Sequence, residues 1–193
     1  MRPKSQWHND VMSITVCVFC GSRPGSNPSW STASSQLGSE IAKHGWRLVF
    51  GGGGGGLMGE LARGALASHG TVIGIIPNFL TEAEPVIQDL SELYVVESMI
   101  ERKEMMVDLS DIFVIMPGGV GTIEELFEVW TGNHVKAYSK PILIVNLDGF
   151  FDELMRFVKK QHENGFLIER HFSYITVVNT IPEAIAFLQL KAR

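Results

Sequence analysis

Residues 111–125 read Asp111-Ile112-Phe113-Val114-Ile115-Met116-Pro117-Gly118-Gly119-Val120-Gly121-Thr122-Ile123-Glu124-Glu125. The apolar run 111–116 is short and continuous rather than alternating, the pattern of a strand buried on both faces of a parallel sheet. A glycine-rich turn follows, and a helical pattern opens at Thr122 and runs to about Trp130. Two readings of that opening compete. Thr122-x-x-Glu125 is a well-formed capping box, in which Glu125 returns a hydrogen bond to its own helix start. Alternatively, the open N–H groups and positive dipole end of the helix make an anion site. Gly118, Gly119 and Gly121 carry no β-carbon, so a phosphate could reach the backbone there, and the Thr122 hydroxyl adds a donor. The preceding glycines favour the ligand.

The same alternation extends in both directions. Apolar runs at 14–19, 47–50, 71–76, 93–96, 141–146 and 174–178 predict further strands. Asn27-Pro28 reads as an N-cap with proline at the first helical position. Trp30, Ala33, Leu37 and Ile41 then form a stripe that Gly45 stops. Leu57, Leu61, Ala65 and Leu66 make a second stripe, ended near Gly70, and later helices are expected at about 100–110, 150–164 and 182–190. Strands alternating with helices predict an α/β fold, a three-layer Rossmann-like sandwich with a mainly parallel sheet of about seven strands. Ligands of such folds sit beyond the carboxyl ends of the strands, where both glycine-rich turns fall.

Composition narrows the function. The 193 residues are 45% hydrophobic, enough for one sizeable core, so residues 13–193 read as a single domain behind a polar, flexible N-terminal tail at 1–12. A net charge of −5 announces no basic surface for nucleic acid or acidic membranes. No apolar run approaches the ~18 residues of a membrane span. Two cysteines exclude a disulfide scaffold and fit a reducing, cytoplasmic setting. Cys17-x-x-Cys20 lies within a predicted strand, where residues three apart face opposite ways, so two unlinked buried thiols are expected. Six scattered histidines show no metal-ligand spacing, and no metal site is expected.

Glycine is the unusual residue: 20 occur, and nine of them sit in 51–56 and at 118, 119 and 121. The run Gly51–Gly56 satisfies G-x-G-x-x-G, although six glycines would satisfy almost any glycine pattern. No acidic residue closes the next strand and no Walker lysine follows, which disfavours dinucleotide and nucleoside-triphosphate sites. A flexible turn remains a fair alternative to a ligand loop, against the ordering cost of six glycines. Arg102 is out of place in another way. On a helical wheel it falls amid Met99, Met105, Met106 and Leu109, while Glu101, Glu104 and Asp108 form the solvated face. A guanidinium seldom faces inward without an anion to meet. It either snorkels, pairs structurally, or points into a phosphate site with Lys103 at the rim.

Together these residues resemble the Lonely Guy family, often labelled lysine decarboxylase-like. The likeness runs from Val18-Phe19-Cys20-Gly21-Ser22 through Gly51–Gly59, Ile73–Pro77, Glu84, Arg102-Lys103, Pro117–Glu125 and Lys140-Pro141 to 146–150. It implies a phosphoribohydrolase that cuts the N-glycosidic bond of nucleoside 5′-monophosphates, cytokinin riboside monophosphates or AMP, to free base and ribose 5-phosphate. It also implies a cytoplasmic homodimer or larger assembly without metal or organic cofactor. By the same resemblance Arg102 and Glu125 are the catalytic pair. Ser22, Gly52, Gly53, Glu84, Lys103, Gly118, Gly119, Val120, Gly121, Thr122, Glu124 and Thr131 take substrate-contact positions. One stretch departs: where similar members carry Trp and Gln, this chain has Gly132 and His134. Two rivals stand beside this reading. A non-catalytic nucleotide or cofactor carrier of the same fold would need the phosphate pocket but not the Arg102–Glu125 pairing. A pyridoxal-phosphate decarboxylase would need a Schiff-base lysine.

Overall fold

The computed structural model describes residues 13–82 and 86–192; the predicted tail lies outside them. Seven strands form one sheet: β1 (Thr15–Phe19), β2 (Arg47–Phe50), β3 (Val72–Pro77), β4 (Glu92–Val96), β5 (Ile112–Ile115), β6 (Ile142–Val145) and β7 (Ile175–Val178). Every neighbouring pair is parallel. The continuous apolar runs have the burial expected of them, since β1, β3, β5 and β6 are buried along their whole length. Only the edge strand β4 alternates between more and less exposed positions.

Helices α1 (Pro28–Lys43), α2 (Gly56–Ala67) and α7 (Ile181–Lys191) share one core with Val16, Val18, Leu48, Val114 and Leu143. On the other face α3 (Met99–Leu109), α4 (Val120–His134) and α5 (Asp152–Glu163) pack with Cys17, Phe19, Phe113, Ile115 and Ile144. Cys17 and Cys20 thus belong to opposite faces, and both thiols are free. Asn27 caps α1, its side chain accepting from the Ser29 N–H at 3.0 Å. A single-turn helix, α6 (Glu169–Phe172), lies where no periodicity announced one. Helix α5 starts at Asp152, because 147–149 form a 3-10 turn with Asp148 at φ +53° and Gly149 at φ +73°. No helix among the described residues is long and apolar enough to cross a membrane.

The strand order β4-β3-β2-β1-β5-β6-β7 positions the site. The chain steps outward from β1 to β4, then returns and sets β5 against the other side of β1. At the carboxyl ends of β1 and β5 the following connections diverge, leaving a crevice at this switch point. The helices over that side are held close by small residues. A β-carbon on Gly38 would lie 2.0 Å from the Leu61 carbonyl oxygen, and one on Gly64 would lie 2.0 Å from that of Ser35. Helices α1 and α2 therefore touch backbone to backbone. Gly38→Val should lower the urea midpoint with unchanged slope, at a cost of about 1–3 kcal/mol from overpacking.

Candidate active site

A cavity of about 430 Å³ opens at the switch point, within the size range of small-ligand sites. One wall is the start of α4. That helix is capped by Gly119 in an extended conformation, so Thr122 is its third residue rather than its cap. The capping-box alternative is thereby excluded: α4 begins two residues before Thr122, and Glu125 faces the cavity instead of the helix start. The first N–H groups, of Val120, Gly121 and Thr122, have no carbonyl within the helix to bind. A β-carbon on Gly118 would lie 2.1 Å from Thr122 Oγ1, so close packing requires that glycine. Gly119 and Gly121 would meet nothing within 4 Å. Their bareness serves no contact with the described residues and leaves room in front of the helix.

Arg102 and Glu125 line the same cavity from α3 and α4. Arg102 is only 7% exposed. Its Nε donates to the Ile75 carbonyl at 3.1 Å and its Nη2 to the Gly51 carbonyl at 2.9 Å. A β-carbon on Gly51 would sit 1.9 Å from that Nη2, so the glycine admits the guanidinium. Glu125 is buried and, among the described residues, makes no hydrogen bond or ion pair. Burial pushes its carboxyl up to about 7; the Arg102 guanidinium and Lys103 pull the other way, and Glu124 and Glu128 add to the rise.

Of the other residues singled out in the sequence, Ser22 and 118–122 line this cavity. The rest lie elsewhere, and Glu84 is outside the described residues. Lys103 bridges Glu124 and Glu128, both at 2.5 Å, beside the cavity rather than in its wall. Thr131 is exposed two turns further along α4. Gly52, at φ +80°, packs against Ile75 and Ile76, and Gly53 bridges to Val86. The start of α2 is closed as well: the Leu57 and Met58 N–H groups donate to the Gly21 carbonyl at 3.0 and 3.3 Å. The six-glycine run is closely packed at both of its ends. Arg102 approaches Gly51, and the Ser22-Arg23 backbone approaches Gly56, too closely for side chains there.

Sequence reasoning passed over Arg23, Trp30 and Phe150, which also line the cavity. Trp30 and Phe150 pack edge to face at 5.2 Å, and Trp30 Nε1 donates to Asp148 at 3.0 Å. Position was the available signal for Arg23, which lies on the turn leaving β1 at the switch point. The departure at Gly132 has a packing explanation. The Tyr138 hydroxyl lies 2.1 Å from where a β-carbon of residue 132 would be, so Tyr138 occupies the space a larger side chain there would need.

Fold and cavity define a doubly wound α/β protein with a cleft, bordered by an open helix start and a buried carboxyl, at its switch point. The family model described as "Possible lysine decarboxylase" matches residues 58–188, and the chain belongs to this family, the Lonely Guy family. It is 42% identical over 152 residues to a probable cytokinin riboside 5′-monophosphate phosphoribohydrolase of Oryza sativa subsp. japonica, covering 79% of this chain and 62% of that protein. Against a cytokinin riboside 5′-monophosphate phosphoribohydrolase of Rhodococcoides fascians, identity is 39% over 176 residues, covering 91% and 89%. The fold is also that of the molybdenum cofactor carrier protein of Chlamydomonas reinhardtii, with a TM-score of 0.69 at 24% identity, covering 94% and 99%.

The raised carboxyl of Glu125 has a consequence for stability. Its folded value of about 7 lies above the ordinary 4.5, so the stability it contributes is complete below about 4.5 and is lost as pH rises through 7. Glu125→Gln removes that loss. The variant should be more stable than wild type at pH 8, by on the order of 3 kcal/mol, and should not be at pH 4.5; thermal melts at the two values check it.

Proposed function

We propose that this chain is a phosphoribohydrolase that hydrolyses the N-glycosidic bond of nucleoside 5′-monophosphates, cytokinin riboside monophosphates or AMP, and works as a cytoplasmic homodimer. The observation that carries this reading is Glu125: a buried carboxyl with no protein partner among the described residues, in the cavity wall one turn from an open helix start, with Arg102 in the same wall. The names of the rice and Rhodococcoides relatives support the same activity.

The chemistry asks for such a group. The 5′-phosphate rests on the bare backbone of 118–121 and the Thr122 hydroxyl, which supplies binding energy remote from the bond that breaks. As the C1′–N bond cleaves, its electron pair leaves with the base, which takes up a proton from solvent, and the ribose becomes oxocarbenium-like. The ionised Glu125 stabilises that positive charge. It then either takes a proton from the water that adds to C1′, or attacks C1′ itself and is released by water. Arg102 acts through its charge and the fixed geometry of its guanidinium. Fixed by two carbonyls, it is a rigid positive charge that lowers the Glu125 carboxyl against burial and keeps part of it ionised near neutral pH.

A carrier of the molybdenum cofactor type fits the fold but gives no role to an unpartnered buried carboxylate. Decarboxylation of lysine would need a Schiff-base lysine, and no lysine is among the described residues lining the cavity. The test is incubation with AMP and with isopentenyladenosine monophosphate, followed by chromatography for free base. Wild type should release base, with kcat/KM rising with pH to a plateau above about 7 as Glu125 ionises. Glu125→Gln should lose about 10³-fold in kcat. Base release by that variant at the wild-type rate would refute the assignment.

A further inference from the structure

Two arginines line the cavity, and their circumstances differ. Arg102 is buried, with Nε and Nη2 committed to the carbonyls of Ile75 and Gly51. Arg23 is exposed and, among the described residues, has neither a hydrogen bond nor an ion pair for its guanidinium.

The backbone that carries Arg23 is nevertheless held on three sides. The Gly21 N–H donates to the Pro117 carbonyl at 3.0 Å, tying this turn to the one that precedes α4. The Gly21 carbonyl accepts the Leu57 and Met58 N–H groups of α2. A β-carbon on Gly56 would lie 2.4 Å from the Arg23 nitrogen, and one on Gly25 would lie 2.7 Å from the Trp30 ring. Trp30 is in turn anchored to Asp148. A fixed turn thus delivers an uncommitted cation to the side of the cavity next to 117–119, where α4 begins.

Charge balance says what that cation meets. A phosphomonoester carries about −1.5 to −2 at neutral pH. The start of α4 offers only roughly half a positive charge. Arg102 shares its wall with Glu125, and Glu124 and Glu128 add negative charge nearby. A dianion at the helix start is left with a deficit that only a second cation removes.

We propose that Arg23 is the specificity-determining cation of this site: it pairs with the 5′-phosphate from the turn after β1 while the start of α4 binds it through backbone, so that phosphorylated nucleosides are preferred over free ones. The inference rests on the phosphoribohydrolase reading for the identity of the phosphoester, but not on any role of Glu125.

Calorimetric titration with ribose 5-phosphate, together with steady-state kinetics on AMP and adenosine, tests it on wild type, Arg23→Ala and Arg23→Lys. Arg23→Ala should weaken ribose 5-phosphate binding and raise the KM for AMP by about tenfold or more, with kcat within about twofold. The preference for AMP over adenosine in kcat/KM should fall in proportion. The difference from wild type should shrink at high salt, where an exposed pair is screened. Arg23→Lys should recover part of the loss, as a point charge without the guanidinium fork. Unchanged ribose 5-phosphate binding in Arg23→Ala, or an equal loss of turnover on AMP and adenosine, overturns the proposal. A wild type that binds ribose 5-phosphate but releases no base refutes the hydrolase reading alone, and the titration still decides Arg23. Failure of wild type to bind ribose 5-phosphate refutes the Arg23 proposal, and base release alone then decides the hydrolase reading.

Discussion

The two hydrogen bonds that tie the Arg102 guanidinium to the carbonyls of Gly51 and Ile75 organise the site. They join α3 to the carboxyl ends of β2 and β3, and they bury a positive charge that packing alone would exclude. Gly51 makes the contact possible by lacking a side chain. With that charge fixed, a carboxyl as buried as Glu125 can still be partly ionised near neutral pH, where otherwise it would stay protonated. A carboxylate in that state is what stabilisation of a cationic sugar requires.

Keeping Glu125 unpartnered opposes folding. Burial of a carboxyl without a hydrogen bond destabilises the native state, and Lys103 opposes this only through space, because its ammonium is engaged by Glu124 and Glu128. Strain of this kind is tolerated at functional sites when the scaffold around them is rigid. Here the scaffold is a sheet buried on both faces and a pair of helices, α1 and α2, in direct backbone contact. The cavity belongs to the chain order as much as to its residues, since it exists because β5 returns to the far side of β1.

The strands were legible to within a residue at each end, because a doubly buried strand must be a short, continuous apolar run. The caps of α1 were legible for a similar reason: Asn27, Pro28 and Gly45 act on their immediate neighbours. Ambiguity arose where a local pattern had two physical meanings. Thr122-x-x-Glu125 has the composition of a capping box, yet α4 starts earlier, through two poor helix formers, Val120 and Gly121. The run 51–56 has the composition of a phosphate loop, and its bare positions at Gly51 and Gly56 also admit Arg102 and the Ser22-Arg23 backbone. The inward direction of Arg102 was readable from the wheel, but its carbonyl partners, 27 and 51 residues away in the chain, were not.

Local sequence thus determined the alternation of strand and helix, the inward guanidinium and the bare turn before α4, since each depends on groups within a turn or two of one another. The tertiary structure alone decided that Gly51 admits a guanidinium while Gly119 and Gly121 stay open, that Tyr138 lies over Gly132, and that Arg23 lines the same cavity as the start of α4. Those outcomes depend on atoms far apart in the chain competing for the same space, and no periodicity encodes that competition.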